Sequence, residues 1–395
     1  MSEWVELKLT DVGSLQRGKS KHRPRYAFHL YNGKYPFIQT GEVRESRKYI
    51  SEFKNTYSEA GLAQSKLWPK NTLCITIAAN IAELGILKFD ACFPDSVIGF
   101  IPDKNKSNLD FVYYTLCHFQ RELKHLGEGS VQDNINLGTF NDIKFMFPSL
   151  AEQKAIASVL SSLDDKIDLL HRQNKTLESM AETLFRQWFV EEVQDDYLDI
   201  TIETVIETTS GGTPSRKRME YYEIGNIFRV KSKELNGLFI NSTEEKITDE
   251  AIKNSSAKLL PKHSILIAMY GATVGEYAVI SKPMSCNQAI CALKPNDNYP
   301  YTYIFMYVKT QKDELINQAV GSAQQNISQA LIKKMKVSSN LGLINKYHNT
   351  VLHMFEKIEV NSKQIQTLEK LRDTLLPKLM SGEVRVNYTP EEIKQ

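Results

Sequence analysis

The 395-residue chain is short of the features that define several large protein classes. No stretch approaches 18 uninterrupted apolar residues, and the opening MSEWVELKLTD has no basic segment leading into an apolar one, so neither a membrane span nor a signal peptide is expected. The five cysteines (Cys74, Cys92, Cys117, Cys286 and Cys291) are odd in number and never spaced CxxC; reduced core thiols in a cytoplasmic protein are expected. The net charge is only +2, so a nucleic-acid partner would have to be argued from local clustering.

Enzyme signatures are scarce too. There is no GxxxxGK[ST] phosphate loop, no HExxH, no Cys/His set with zinc spacing, and none of the glycine-rich or NPP[YF]-type elements of adenine methyltransferases. Pro102-Asp103 followed by Glu122 and Lys124 fits the loose PD…(D/E)xK nuclease pattern. The pattern is short, and Glu122 and Lys124 fall in an expected helix over Leu109–Lys124. No catalytic residue and no metal ligand is assigned. A nuclease would instead show Mg²⁺-dependent activity lost in Glu122→Ala.

What the chain does have is 42% apolar content, enough for real cores, and a repeat. Lys166-Ile167-Asp168 answers to Lys357-Ile358-Glu359, Thr176-Leu177-Glu178 to Thr367-Leu368-Glu369, and Thr183-Leu184-Phe185 to Thr374-Leu375-Leu376. Upstream of each run the landmarks also recur about 190 residues apart: Gln16-Arg17-Gly18 with Thr209-Ser210-Gly211, Asp95 with Asn287, and GSVQDNI at 129–135 with GSAQQNI at 321–327. Candidate strands in the first copy are Tyr35–Thr40, Thr72–Ala78 and Ser96–Ile101. The expected fold is α+β. Two mixed α/β domains, 1–148 and 191–339, alternate with helices at 149–190 and 340–386, and a tail follows at 387–395.

Ser149 three residues before Glu152 is a capping-box start for the first long helix. Ile156, Leu160, Leu163, Ile167, Leu170, Asn174, Leu177, Ala181, Leu184 and Trp188 then step by four and three, a coiled-coil seam. The second seam runs Tyr347, Val351, Met354, Ile358, Asn361, Ile365, Leu368, Arg372, Leu375 and Leu379, ending near Pro377 and Gly382. Paired in parallel, Asn174 would face Ile365 and Asn361 would face Leu170, burying two amides against apolar partners. Paired antiparallel, Ile156 faces Leu379 and Asn174 faces Asn361. An antiparallel intrachain coiled coil with Asn174–Asn361 register is therefore expected, placing the domains about a pseudo-two-fold axis. Its stripe of about 32 residues would span roughly 48 Å, or roughly 14 base pairs.

Basic residues cluster where a phosphate-neutralising surface needs them. Arg17, Lys19, Lys21, Arg23 and Arg25 fall within nine residues, and Arg216, Lys217 and Arg218 stand at the matching place in the second copy. Arg44, Arg47 and Lys48 extend the first patch, and Lys231 and Lys233 the second. Gln132 and Asn134, with Gln324 and Asn326 across the repeat, could pair with adenine in the major groove or tie down a turn shared by both copies. Tyr270, beside Gly271, closes a hydrophobic strand into a loop that could approach DNA.

The phrases PSLAEQKAIASVLSSLDDKID and KLRDTLLPKLMSGEVRV, with the paired GSxQxNI loops, resemble the specificity (S) subunits of type I restriction–modification systems over nearly the whole chain. That resemblance implies a non-catalytic DNA-binding subunit whose two target-recognition domains each read half of a bipartite site, with the helices as spacer. It implies two methyltransferase (M) subunits carrying S-adenosylmethionine and methylating adenine, and restriction (R) subunits that cleave remotely with ATP and Mg²⁺. The second helix departs from the pattern at its start, where Asn340-Leu341-Gly342-Leu343 replaces Pro148-Ser149-Leu150-Ala151. A coiled-coil scaffold that binds protein is the competing class; it would show no salt-dependent DNA affinity.

Overall fold

The structure is a computed structural model that describes residues 3–22, 24–128, 137–192, 200–235, 238–318 and 326–387. It divides into two compact units, Met1–Ile167 with Leu368–Gln395, and Asp168–Thr367. Each long helix thus contributes residues to both units, rather than standing apart from them.

The first unit is built on a five-stranded sheet in the order Gly13–Arg17, Val97–Pro102, Leu73–Thr76, Leu84–Leu87, Tyr49–Ile50. Leu73–Thr76 and Leu84–Leu87 are buried along their whole length, as central strands covered on both faces should be. Beside it lies a four-stranded sheet, Asn55–Tyr57, Tyr31–Phe37, Ala91–Cys92, Leu67–Trp68. The helix expected over Leu109–Lys124 is two helices, Leu109–His118 and Gln120–Glu128, separated at Phe119, where the backbone leaves the helical region. Asn108 caps the first by accepting from the Phe111 amide at 2.9 Å.

The second unit repeats the plan. Its five-stranded sheet runs Glu207–Ser210, Ile290–Lys294, Ile265–Ala268, Tyr277–Ile280, Phe239–Ile240, with the last strand parallel to its neighbour as in the first unit. Its smaller sheet has three strands, Glu245–Ile247, Ile227–Val230, Ser285–Cys286. The fourth is reduced to one bridge, Leu260 to Met284, which corresponds to the Trp68–Ala91 pairing.

The long helices run Leu150–Arg186 and Leu341–Met380. Ser149 Oγ accepts from the Glu152 amide at 3.3 Å, and the buried Glu152 carboxylate receives Arg385 at 2.9 Å. Gln153 ties the entry to its surroundings, donating to the carbonyls of Pro148 and Lys106 and accepting from the Asn108 amide. The less regular second start is capped by Asn340, whose Oδ1 accepts from the Leu343 amide at 2.9 Å. Pro377 sits in the last turn, and the helix stops before Gly382, which takes the left-handed conformation at φ +74°.

Within each unit the helix segments pack antiparallel. In the first, Ile156 and Leu160 share a core with Leu379 and Met380. In the second, the Tyr347 hydroxyl donates to the Ala181 carbonyl at 2.9 Å, and Asn361 Nδ2 donates to Asn174 Oδ1 at 2.9 Å. Arg372 interrupts the apolar seam, but its guanidinium meets the buried Asp164 at 2.8 Å, and the Tyr114 hydroxyl donates to the other carboxylate oxygen at 2.6 Å. Phe355 is fully buried where Met354 was the expected seam residue, because this helix also packs on Tyr301 and Phe305. Phe185, Trp188 and Phe189 pack around Tyr347.

All five cysteines are free thiols, and burial pushes their titration up, to about 11 at Cys92 and about 12 at Cys286. Among the described residues no helix is long and apolar enough to cross a membrane.

Candidate nucleic-acid interface

In the first unit the strand Gly13–Arg17 runs into Gly18, where a Cβ would fall 2.2 Å from the Pro94 carbonyl. Only glycine permits so close an approach. Gly18 donates to Val97 and Lys19 to Phe93, which fixes where the basic loop leaves the sheet. Gln64 Oε1 then accepts from the amides of Lys21 and His22 at 2.6 and 3.0 Å, and Ser65 Oγ donates to the Lys19 carbonyl. Asp95 holds two arginines, accepting Arg17 Nε on its carbonyl at 2.9 Å and Arg25 on its carboxylate at 3.0 Å. Arg44 reaches the Asn80 side chain at 3.3 Å, and Arg47 is exposed.

Lys48 does not belong to this surface. Its ammonium is buried against Asp110 at 2.8 Å and Ser161 Oγ at 2.7 Å, with the Tyr49 and Tyr114 rings nearby. It serves packing, because a charge withdrawn from solvent needs partners of its own.

The second unit leaves its sheet in the same way. A Cβ on Gly211 would lie 2.2 Å from the Cys286 carbonyl; Gly211 donates to Ile290 and Gly212 to Cys286. This pairing matches Asp95 with Gln288, one position beyond the Asn287 match read from sequence. Arg216 is exposed, lies over the Tyr222 ring at 4.5 Å and pairs with Glu245. Arg218 meets the Tyr221 hydroxyl at 2.6 Å, and Lys217 is exposed. Lys231 and Lys233 both pair with Glu244, Lys233 at 2.8 Å, and Lys231 lies 3.6 Å from Glu245.

Glu245 is the electrostatic centre of this surface, and sequence reading missed it along with Arg229. Arg229 is buried inside the apolar-looking strand Ile227–Val230, pairs with Glu245, and donates to Thr213 Oγ1 at 2.5 Å. Burial pushes the Glu245 carboxyl up, but hydrogen bonds from Arg229 and Arg216 outweigh it and hold the group below the usual range. The one signal in the sequence is a charged residue inside the short apolar run Ile227-Phe228-Arg229-Val230, on the same strand face as the buried Ile227.

Tyr270 and Asn326, expected as separate contacts, form a backbone bridge with each other, and Ile327 donates to the Met269 carbonyl at 2.6 Å. Arg23, Gln132, Asn134 and Gln324 lie outside the described residues.

The two loops thus match in geometry: each is basic, and each leaves its sheet beside a crowded glycine. The family model described as the type I restriction modification DNA specificity domain matches residues 1–179 and again 194–370. The chain belongs to that family. It is 28% identical to the type I restriction enzyme MjaIX specificity subunit of Methanocaldococcus jannaschii, over 97% of this chain and 94% of that protein. It is 23% identical to the type I restriction enzyme HindI specificity subunit of Haemophilus influenzae, over 97% of this chain and 100% of that one. The crystal structure of the type I restriction–modification S subunit from M. genitalium matches with a TM-score of 0.62 at 19% identity, covering 98% of this chain and 97% of that one. At that identity the likeness shows the fold: mixed α/β units with two long helices.

Proposed function

We propose that this chain is the DNA sequence-specificity subunit of a type I restriction–modification enzyme. Each unit reads one half of a bipartite duplex target, and the two long helices set the spacer. The observation that carries the reading is the basic loop leaving the sheet beside Gly18 and again beside Gly211, within a family of DNA specificity domains. Such loops meet phosphates and fix orientation, while the neighbouring side chains read bases. Arg17, Lys19, Lys21, Arg25, Arg44 and Arg47 act for the first half-site, and Arg216, Lys217, Arg218, Lys231 and Lys233 for the second. Tyr270 and Asn326, bridged to each other, act with them in the second unit's approach to the groove.

The chemistry belongs to partners: methyltransferase subunits carrying S-adenosylmethionine modify adenine, and restriction subunits cleave with ATP and Mg²⁺. The complex works in the cytoplasm. Genome-wide mapping of methylated adenine in cells carrying this chain and its methyltransferase partner tests the reading. A two-part motif with a fixed gap is expected, and exchanging residues 200–335 for those of a relative should change one half only. A contiguous motif, or no motif, would overturn it. Arg17→Gln and Arg216→Gln should each weaken binding and flatten its salt dependence in a filter-binding titration, by about one phosphate contact per residue.

A further inference from the structure

Directly after each basic loop the chain makes a short 3₁₀ turn, Phe28–Leu30 in the first unit and Met219–Tyr221 in the second. The two turns are built by the same bonds. Ala27 donates to Pro24 and Leu30 to Ala27; correspondingly Arg218 donates to Ser215 and Tyr221 to Arg218. Each is then anchored by the residue that caps a following short helix. The Ser58 amide donates to Leu30 and its hydroxyl to His29 at 2.6 Å, while the Thr248 amide donates to Tyr221 and its hydroxyl to Glu220 at 3.3 Å. The last residue of each turn is the anchor in the core, with Leu30 and Tyr221 each 2% exposed. The first residue points the other way: Phe28 is 83% exposed and Met219 59%.

One exposed apolar side chain is ordinary. The same position, on the same pinned turn, in two units whose loops otherwise share little sequence, is not. An apolar side chain left in water forgoes the free energy of burial, and among the described residues neither unit's fold recovers it. Lys21 and Arg25 precede the first turn, and Arg216, Lys217 and Arg218 the second, so a polyanion is the occupant these turns favour.

We propose that Phe28 and Met219 are apolar wedges that enter the duplex between neighbouring base pairs, one in each half-site. The proposal rests on the DNA-specificity reading above. Phenylalanine and methionine are among the side chains that part base steps, because an apolar surface stacks on a base face without needing a hydrogen bond. The pinned turn supplies rigidity, so little ordering entropy is lost on entry. The differing side chains would favour different base steps, which adds specificity at positions that no polar group reads. The second turn carries Glu220 where the first has His29, so its approach to phosphate is the less strongly attracted of the two.

The test uses the full chain assembled with its methyltransferase partner, and duplexes of the mapped target with 2-aminopurine at single positions. Fluorescence should rise several-fold at one step in each half-site as that base loses its stacking neighbour. Phe28→Ala should abolish the rise in the first half-site alone, Met219→Ala in the second alone. Each variant should bind its target about tenfold more weakly, with an unchanged salt slope. Phe28→Leu and Met219→Leu should keep both properties. Both positions are exposed, so folding is not at stake. If the unsubstituted complex binds and both alanine variants match it in fluorescence and affinity, the wedge is overturned alone. If the unsubstituted complex shows no duplex binding, the specificity reading falls with it.

Discussion

Phe37 in the first unit and Arg229 in the second occupy the same place in their smaller sheets. Phe37 pairs across the strands with Asn55 and lies beside Cys92; Arg229 pairs with Glu245 and lies beside Ser285. In the first unit the site is filled by stacked rings, Phe37 on Tyr57 at 4.0 Å. In the second a buried guanidinium fills it, held by Glu245 and by oxygen atoms of Gly212 and Thr213. The backbone bonds around the two sites agree, so the skeleton tolerates either solution. What differs is the consequence for the surface: Glu245, needed to neutralise Arg229 inside, also reaches out to Arg216 and Lys231. In the first unit Asp95 holds Arg17 and Arg25 without any such link to the core among the described residues. One duplicated scaffold therefore aims its arginines by two unrelated electrostatic routes.

The sharpest way to break this comparison is Glu245→Ala. It strands the Arg229 charge in the interior and should cost about 3–5 kcal/mol, read by chemical denaturation, with hydrogen exchange rising in the 200–318 region first. Replacing the pair together, as Arg229→Met with Glu245→Leu, should recover most of that loss. A single substitution that proved harmless would mean the pair is not buried as described.

A smaller effect is expected at the helix seam. Asn361 is fully buried, donates to Asn174, and its own Oδ1 finds no hydrogen-bond partner among the described residues. Asn174→Leu should destabilise by about 1–3 kcal/mol, because it leaves the buried Asn361 amide only its long bond to Gln173 Oε1 at 3.4 Å. The double leucine variant should be as stable as the natural chain or more so, while tolerating other registers. Cysteine cross-linking along the seam would detect that slippage; a double variant locked in the same register would show that the amides do not choose it.

The smallest expected effect distinguishes the two loops that follow the central strands. Ala79, exposed, has φ +65°, and Gly271 at the matching place has φ +88°. Alanine is strained there and glycine is not. Ala79→Gly should stabilise the first unit by about 1 kcal/mol, and Gly271→Ala should destabilise the second by about as much, each visible as a shift in denaturation midpoint. Equal signs for the two changes would remove the equivalence.

The parts of this protein legible in its sequence are those encoded by neighbours in the chain. The four-and-three stepping of apolar residues named both long helices, the unequal asparagines chose the antiparallel pairing, and the recurrent Gly18 and Gly211 marked where the loops leave the sheets. The strands Leu73–Thr76 and Val97–Pro102 fell within a residue or two of expectation, because short apolar runs between turn residues have few alternatives.

Of the basic residues, by contrast, only the count and the neighbourhood were readable. Whether a cation faces solvent or the core depends on which carboxylate reaches it, and those partners come from distant segments: Asp95 for Arg25, 70 residues away, and Asp110 for the buried Lys48. Sequence alone determined that this chain is one α+β unit made twice, with a helix pair of defined register. Tertiary structure alone decided which cations are held outward, and that the residues opening the two 3₁₀ turns, Phe28 and Met219, are left in solvent. Helical periodicity is a local property of the chain, whereas charge pairing and exposure are set by contacts that exist only once the chain has folded.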